Sequence, residues 1–328
     1  MKLFHLSDLH IGLRLYNRDL YEDQKFILHQ ICDLARKAQP DAVLLAGDLY
    51  DKAVPSAEAV DIFDAFITEL TEAVPQARIM AISGNHDSAG RVDLFRRILG
   101  KHNLYMIGQP PRLPGEHIEK VTLQDECGPV NFYLLPFVKP SMVRLLVGTD
   151  EKGNNLSYDA SLRQLLQQEH IDESQRNVLV SHQFYLPVGA DGESIERMDS
   201  EIRTVGNIDA IRADVLSPFD YAALGHIHKP MSVGCDRYRY CGTPLPCSVS
   251  EAGQQKGIIQ VELGPKGQVS TTVLPLQPLR QVKKLRGLLR DILQQSCEDF
   301  VTVLLTDPDD LDVIDMQDRL RAAFPNLL

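Results

Sequence analysis

Short apolar runs recur along this chain, and each ends in a polar cluster. Leu3-Phe4-His5-Leu6 runs into Ser7-Asp8-Leu9-His10, and Ala42-Val43-Leu44-Leu45-Ala46 into Gly47-Asp48. Ile79-Met80-Ala81-Ile82 runs into Ser83-Gly84-Asn85-His86-Asp87. Val178-Leu179-Val180 runs into Ser181-His182, and Tyr221-Ala222-Ala223-Leu224 into Gly225-His226-Ile227-His228. Runs of this length bounded by turn residues predict buried strands. Between the early runs the period changes. Over 23–38, Ile27, Ile31, Leu34 and Ala38 recur at helical steps. Over 56–74, Phe63, Ile67, Leu70 and Val74 do the same, while Ala59, Ile62 and Phe66 add a second apolar stripe. Strand–helix–strand alternation predicts an α/β fold with helices packed on sheets. The doubled stripe exceeds what one sheet face requires, which leaves either a fully buried helix or one shared with a partner subunit.

A boundary falls near 275, where Leu274-Pro275-Leu276-Gln277-Pro278 reads as a linker. The expected division is therefore 1–275 and 276–328. Beyond the linker, 280–290 holds five basic residues and no acidic one, and 291–318 holds nine acidic residues and no basic one. Leu285, Leu288, Leu289, Ile292 and Leu293 suit an amphipathic helix, 300–305 a strand and 313–324 a second helix. An appendage of about fifty residues is too small to stand without its neighbour.

At 328 residues, 44% hydrophobic and 24% charged, the chain has the make-up of a globular protein large enough to bury a sizeable core. No apolar run approaches the ~18 residues of a membrane span. Asp8 follows the start too closely to leave room for a signal-peptide core, so the expectation is a cytoplasmic protein. Six cysteines with no C-x-x-C pair fit reduced thiols. Cys235, Cys241 and Cys247 are evenly spaced, more widely than structural zinc ligands usually are. The net charge of −11 counts against a free-standing nucleic-acid binder, because phosphate contacts dominate that affinity.

Five of the ten histidines (His10, His86, His182, His226, His228) sit in the clusters at the strand ends, with Asp8, Asp48, Asn85 and Asp87. In open α/β folds functional groups gather at the carboxyl ends of strands, so these clusters converge if the runs share one core. Carboxylates and imidazoles without thiolate suit two divalent ions such as Mn, Fe or Zn. Such a pair clamps a phosphate and generates a nucleophile from bound water. Asp48 is central enough to bridge them. Gly47, Gly84 and Gly225 are placed to let the backbone turn beside an ion. Each motif alone is common; the ordered set is specific.

Asp8-Leu9-His10, Gly47-Asp48, Gly84-Asn85-His86-Asp87, Ser181-His182 and Gly225-His226-Ile227-His228 resemble the five signature motifs of calcineurin-like metallophosphoesterases. The resemblance implies a two-sheet α/β sandwich with a two-metal site. It implies that Asp8, His10, Asp48 and His228 hold one metal, and Asp48, Asn85, His182 and His226 the other. His86 would stabilise the transition state or protonate the leaving oxygen, with Asp87 orienting it.

Within that family, 5–12, 46–51 and above all 217–230 resemble the nuclease subunits of bacterial ATPase–nuclease complexes. Tyr240-Cys241-Gly242-Thr243-Pro244, Glu251 and Lys256-Gly257 resemble the stretch behind their active site. Relatives in other kingdoms often carry histidine where this chain has Asp51. This resemblance implies a manganese-dependent nuclease acting on DNA ends and hairpins. It implies a homodimer through helices 56–74 and about 90–101, which favours the shared-helix reading of 56–74. It also implies a partner ATPase with a long coiled coil; this chain has no G-x-x-x-x-G-K-[ST] loop, so any ATP dependence would come from that partner. Residues 276–328 would be part of a small capping domain, and a full-length member would be expected to continue beyond Leu328. Arg91, Arg96, Arg97 and Lys101, and the 280–290 stretch, are local basic clusters that soften the charge objection. The motifs also fit a small-molecule or nucleotide phosphodiesterase or a protein phosphatase, and a non-catalytic scaffold is the remaining reading.

Overall fold

A computed structural model describes residues 1–187, 189–190, 198–199, 201, 209–308 and 315–328. Two six-stranded sheets dominate it. In the first, Lys2–Leu6, Ala42–Ala46, Arg78–Ile82 and Leu104–Ile107 run parallel. Gly257–Leu263 and Val269–Pro275 extend its edge antiparallel. In the second, Gly128–Leu135, Arg176–His182, Tyr221–Gly225 and Cys235–Tyr240 run parallel. Glu119–Asp125 and Met231–Val233 close its two edges antiparallel.

The sheets pack face to face over Leu44, Met80, Phe132, Val180, Tyr221 and Val261. The helices α1 (Tyr21–Ala38) and α2 (Ala57–Ala73) cover the outer face of the first sheet. The helices Pro140–Val147 and Tyr158–Gln167 cover that of the second. Central strands are thus buried on both faces, which is why they read as unbroken apolar runs.

Both stripes of α2 are consumed inside the protomer. Ile62, Phe63, Phe66 and Ile67 are all buried, and the Phe63 ring lies 5.2 Å from that of Tyr50. The helix is wedged between α1 and the strand-end loops, so the surplus apolar surface needs no partner subunit to cover it. The 90–101 stretch differs. It breaks into short turns, Ala89–Val92 and Arg96–Leu99, and leaves Leu94, Phe95 and Ile98 more than half exposed.

Past 275 the expected long helix is replaced by the strand Val282–Gly287 and a single turn, Leu289–Ile292. The strand pairs parallel with Phe300–Leu305, which is a strand as expected. Exposure there alternates, with Lys284 and Arg286 outward, and Gly287 ends the strand before helical spacing resumes. Helical spacing of the leucines spanned two elements. The second expected helix is seen as Met316–Ala323; 313–314 lie outside the described residues. Leu289, Ile292, Val301, Leu320 and Phe324 form a separate small core. Arg280 ties this unit to α1 through Asp23.

Candidate metal centre

All five polar clusters meet at the carboxyl ends of parallel strands, three from the first sheet and two from the second. Asp8, His10, Asp48, His182, His226 and His228 are buried, while Asn85 and His86 are half-buried. The backbone turns sharply to aim these side chains inward. Asp8, His10, Asp48 and His226 all take positive φ (53°, 42°, 48° and 101°). Such conformations cost non-glycine residues ~1–3 kcal/mol each and persist where the surroundings enforce them. The enforcing contacts are visible: Asp8 N–H donates to the Gly47 carbonyl and His10 N–H to the Asp48 carbonyl, each at 3.0 Å. Gly47 is itself left-handed (φ 88°), as expected of a turn glycine. Gly225 is needed for closeness instead: a Cβ there would overlap the Ala46 carbonyl oxygen.

Asp48 stands at the middle. Its Oδ1 accepts the His86 backbone N–H at 2.8 Å, and its Oδ2 lies 3.2 Å from His182 Nε2 and 3.7 Å from His10 Nε2. On one side His10 Nε2 and His228 Nε2 approach to 3.1 Å, and Asp8 Oδ1 lies 4.0 Å from His228 Nε2. On the other, Asn85 Oδ1 lies 3.0 Å from His182 Nε2 and 2.8 Å from His226 Nδ1. Asp8 Oδ1 is equally 4.0 Å from His182 Nε2, so Asp8 and Asp48 both stand between the two groupings.

The donor set fits divalent cations. His182 Nδ1 donates to the Ala46 carbonyl at 2.8 Å, so Nε2 carries the lone pair of a neutral ring. That nitrogen nevertheless faces two oxygens, of Asp48 and Asn85. Only a proton or a metal ion reconciles them. Burial opposes a proton there, but Asp48, Asp8 and the Ala46 carbonyl together outweigh burial and raise His182 to about 9. Asp48 is held low, since its histidine neighbours outweigh the burial that would raise it. Burial raises Asp8 and lowers His10. Three donor groups cluster within 4.8 Å: Asp8, Asp48 and His182; His10, Asp48 and His86; and His10, His228 and Cys247. Divalent ions held by these residues would supply Lewis acidity toward a phosphoester.

His86 keeps its backbone N–H on Asp48 while its ring nitrogen Nδ1 donates to the Asp51 carbonyl at 2.9 Å. The other ring nitrogen is thereby left to take or give a proton. Asp87 does not orient this ring. Its carboxylate accepts the backbone N–H groups of Leu49 (3.0 Å), Tyr50 (2.9 Å) and Gly84 (2.9 Å). A short side chain at the start of a turn pairs most readily with nearby amides, and here it pins the second motif to the third. Burial, with the charge of Asp48, raises Asp87 to about 6.

Two supporting groups were not legible as such. Phe137 stacks on His226 (6.3 Å between rings) and meets His182 edge-on, but it lies in an apolar stretch with no polar signal. Glu201 accepts the His228 backbone N–H at 2.9 Å. The Thr243–Glu251–Lys256 stretch does lie behind the site. Lys256 Nζ donates to Glu251 at 2.6 Å and to Thr243 Oγ1 at 2.8 Å, and Glu251 Oε1 lies 3.7 Å from His228 Nδ1. Against burial, His228 and Lys256 hold Glu251 down to about 2. Cys235 and Cys241 join no donor cluster among the described residues.

Comparison with known proteins agrees with this geometry. The sequence pattern of the calcineurin-like phosphoesterase family matches residues 1–230, and the chain belongs to that family. It is a metal-dependent phosphoester hydrolase of α/β sandwich fold. More particularly, the chain is similar to the SbcD subunit of nuclease SbcCD from Staphylococcus epidermidis, with 30% identity over 335 residues. That alignment covers 100% of this chain and 84% of the relative. Among solved structures, a dimetal phosphatase from Danio rerio matches with a TM-score of 0.48 and 14% identity, over 83% of this chain and 95% of that one. TT1561 of Thermus thermophilus matches with a TM-score of 0.44 and 13% identity, over 83% and 98%.

Proposed function

We propose that this chain is the nuclease subunit of an SbcCD-type complex. It hydrolyses phosphodiester bonds of DNA, as an exonuclease on double-stranded ends and an endonuclease on single-stranded or hairpin DNA. It serves DNA repair, recombination and replication with an SbcC ATPase as partner. The observation that carries this reading is the convergence of carboxylates and imidazoles able to hold an ion, in a chain whose whole length aligns with an SbcD subunit.

In this reading Asp8, His10, Asp48 and His228 hold one Mn²⁺, and Asp48, Asn85, His182 and His226 the other. His86 handles the proton of the leaving oxygen. Residues 1–275 form the nuclease domain and 276–328 part of a capping domain. A homodimer forms through 56–74 and about 90–101; Val60 in the first and Leu94, Phe95 and Ile98 in the second are exposed apolar residues. Cytoplasmic residence fits the partner and substrate; among the described residues no helix is long and apolar enough to cross a membrane.

DNA affinity of the chain alone is weak. The basic residues are partly spent on internal pairs, Arg96 with Glu119 and Lys283 with Asp299. Tight binding is left to SbcC. The test is cleavage of end-labelled duplex DNA with Mn²⁺, with and without SbcC and ATP, beside bis-p-nitrophenyl phosphate. Cleavage of DNA with the partner is expected. Cleavage of the small ester alone, even with the partner and ATP, would assign a small-molecule phosphodiesterase instead.

A further inference from the structure

Cys247 lies against the histidines of one half of the centre. One donor atom each from His10, His228 and Cys247 falls within 4.8 Å of the other two, and all three residues are buried. His10 Nε2 and His228 Nε2 stand 3.1 Å apart. With metal–nitrogen bonds of ~2.0–2.1 Å, two imidazoles on one tetrahedral ion sit about 3.3 Å apart, so this pair is nearly preset. His10 Nδ1 is buried without a hydrogen-bond partner among the described residues. Among the described residues the Cys247 sulfur makes a long contact, 3.7 Å, to the Leu245 carbonyl. Its position is nonetheless fixed: Cys247 N–H donates at 3.1 Å to Glu251 Oε1, the same oxygen that lies 3.7 Å from His228 Nδ1. One anchored carboxylate therefore sets the thiol and the imidazole relative to each other.

We infer that Cys247 gives this centre a second mode of metal binding, in which the Cys247 sulfur joins His10 and His228 around a soft ion such as Zn²⁺ or Cd²⁺. The inference rests on the proposed ligand role of His10 and His228. As the metal–sulfur bond forms, the thiol proton passes to solvent, and no electrons change hands. Thiolate favours soft ions, whereas Mn²⁺ is served by oxygen and nitrogen donors and gains little from sulfur. Soft ions thus compete with Mn²⁺ at this half of the centre.

The test is titration of the metal-free full chain with Co²⁺ and Cd²⁺, alongside Cys247→Ser and Cys247→Ala, followed by ultraviolet absorption. Wild type is expected to show a sulfur-to-metal charge-transfer band that both variants lack. The variants should lose about tenfold or more in Cd²⁺ affinity and keep Mn²⁺ affinity within about twofold. Identical bands and Cd²⁺ affinities in wild type and variants would overturn the inference while normal Mn²⁺ binding left the ligand assignment standing. Failure to bind Co²⁺, Cd²⁺ and Mn²⁺ alike would overturn both.

Discussion

The backbone N–H of His226 donates to both carboxylate oxygens of Asp8, at 3.0 and 3.2 Å, across 218 residues of sequence. This pair joins a strand end of one sheet to a strand end of the other. The carboxylate is thereby aimed before any ion arrives, which is how a rigid scaffold keeps a metal site preorganised. Asp8→Asn keeps an acceptor for the amide but loses the charge. We expect a folded variant whose Mn²⁺ affinity falls by at least ~10-fold, by calorimetric titration. Unchanged affinity would remove Asp8 from the ligand set.

His86 is placed by its neighbours rather than by an ion-pair partner. Its alanine variant should keep its metals and lose ~10²–10⁴ in kcat, the usual worth of a general acid or base. Metal analysis beside kinetics separates this from a ligand role. Loss of metal in His86→Ala would instead make His86 a ligand, in line with its closeness to His10 and Asp48.

Asp87 holds three backbone amides and not the His86 ring. Asp87→Asn should therefore lower kcat by about 10- to 100-fold through a loosened loop, as lost supporting contacts generally do. The pH position of the rate limb assigned by His86→Ala should stay where it is. A shifted limb in Asp87→Asn would show direct coupling to the imidazole.

His5 supplies a pH dependence away from the ions. It is fully buried, with Nδ1 2.9 Å from the Tyr221 hydroxyl and Nε2 3.2 Å from the Leu224 carbonyl. Burial holds its imidazolium down, to about 3 from 6.5. The unfolded chain then binds a proton that the native state refuses, so stability is complete above pH 6.5 and is lost as pH falls toward 3. The slope approaches ~1.4 kcal/mol per pH unit. In urea titrations of metal-free protein from about pH 6.5 down to about pH 5, wild type should lose more stability than His5→Gln. Parallel losses would show that His5 does not set this slope.

Much of this was legible in the sequence because the strands are buried on both faces. Fully covered strands print apolar runs, and the polar clusters after them mark the carboxyl ends where the site gathers. The misreadings share a cause. Local period cannot tell which apolar surface faces which neighbour, so the second stripe of α2 suggested a shared interface although Ala59, Ile62 and Phe66 are buried in the protomer's own core. In 282–293 a strand and a turn together mimicked helical spacing, because Gly287 ends one element just where leucines resume. Asp87 adjoins His86 in sequence, yet a short side chain reaches the nearest amides first. Phe137 left no signal, since apolar packing carries none, and Cys247 showed only an even spacing with Cys235 and Cys241 that gave no hint of its nearness to the histidines.

The proposed bridging of a pair of ions by Asp48 underlies the ligand assignments at this site, and counting bound ions addresses it without recourse to kinetics. Wild type and Asp48→Ala would be equilibrated with Mn²⁺, freed of excess ion and assayed for bound metal per chain by elemental analysis. Two ions are expected in wild type and neither in Asp48→Ala, with the variant still folded by circular dichroism. Two ions retained by a folded Asp48→Ala would contradict the bridge and the centre built around it.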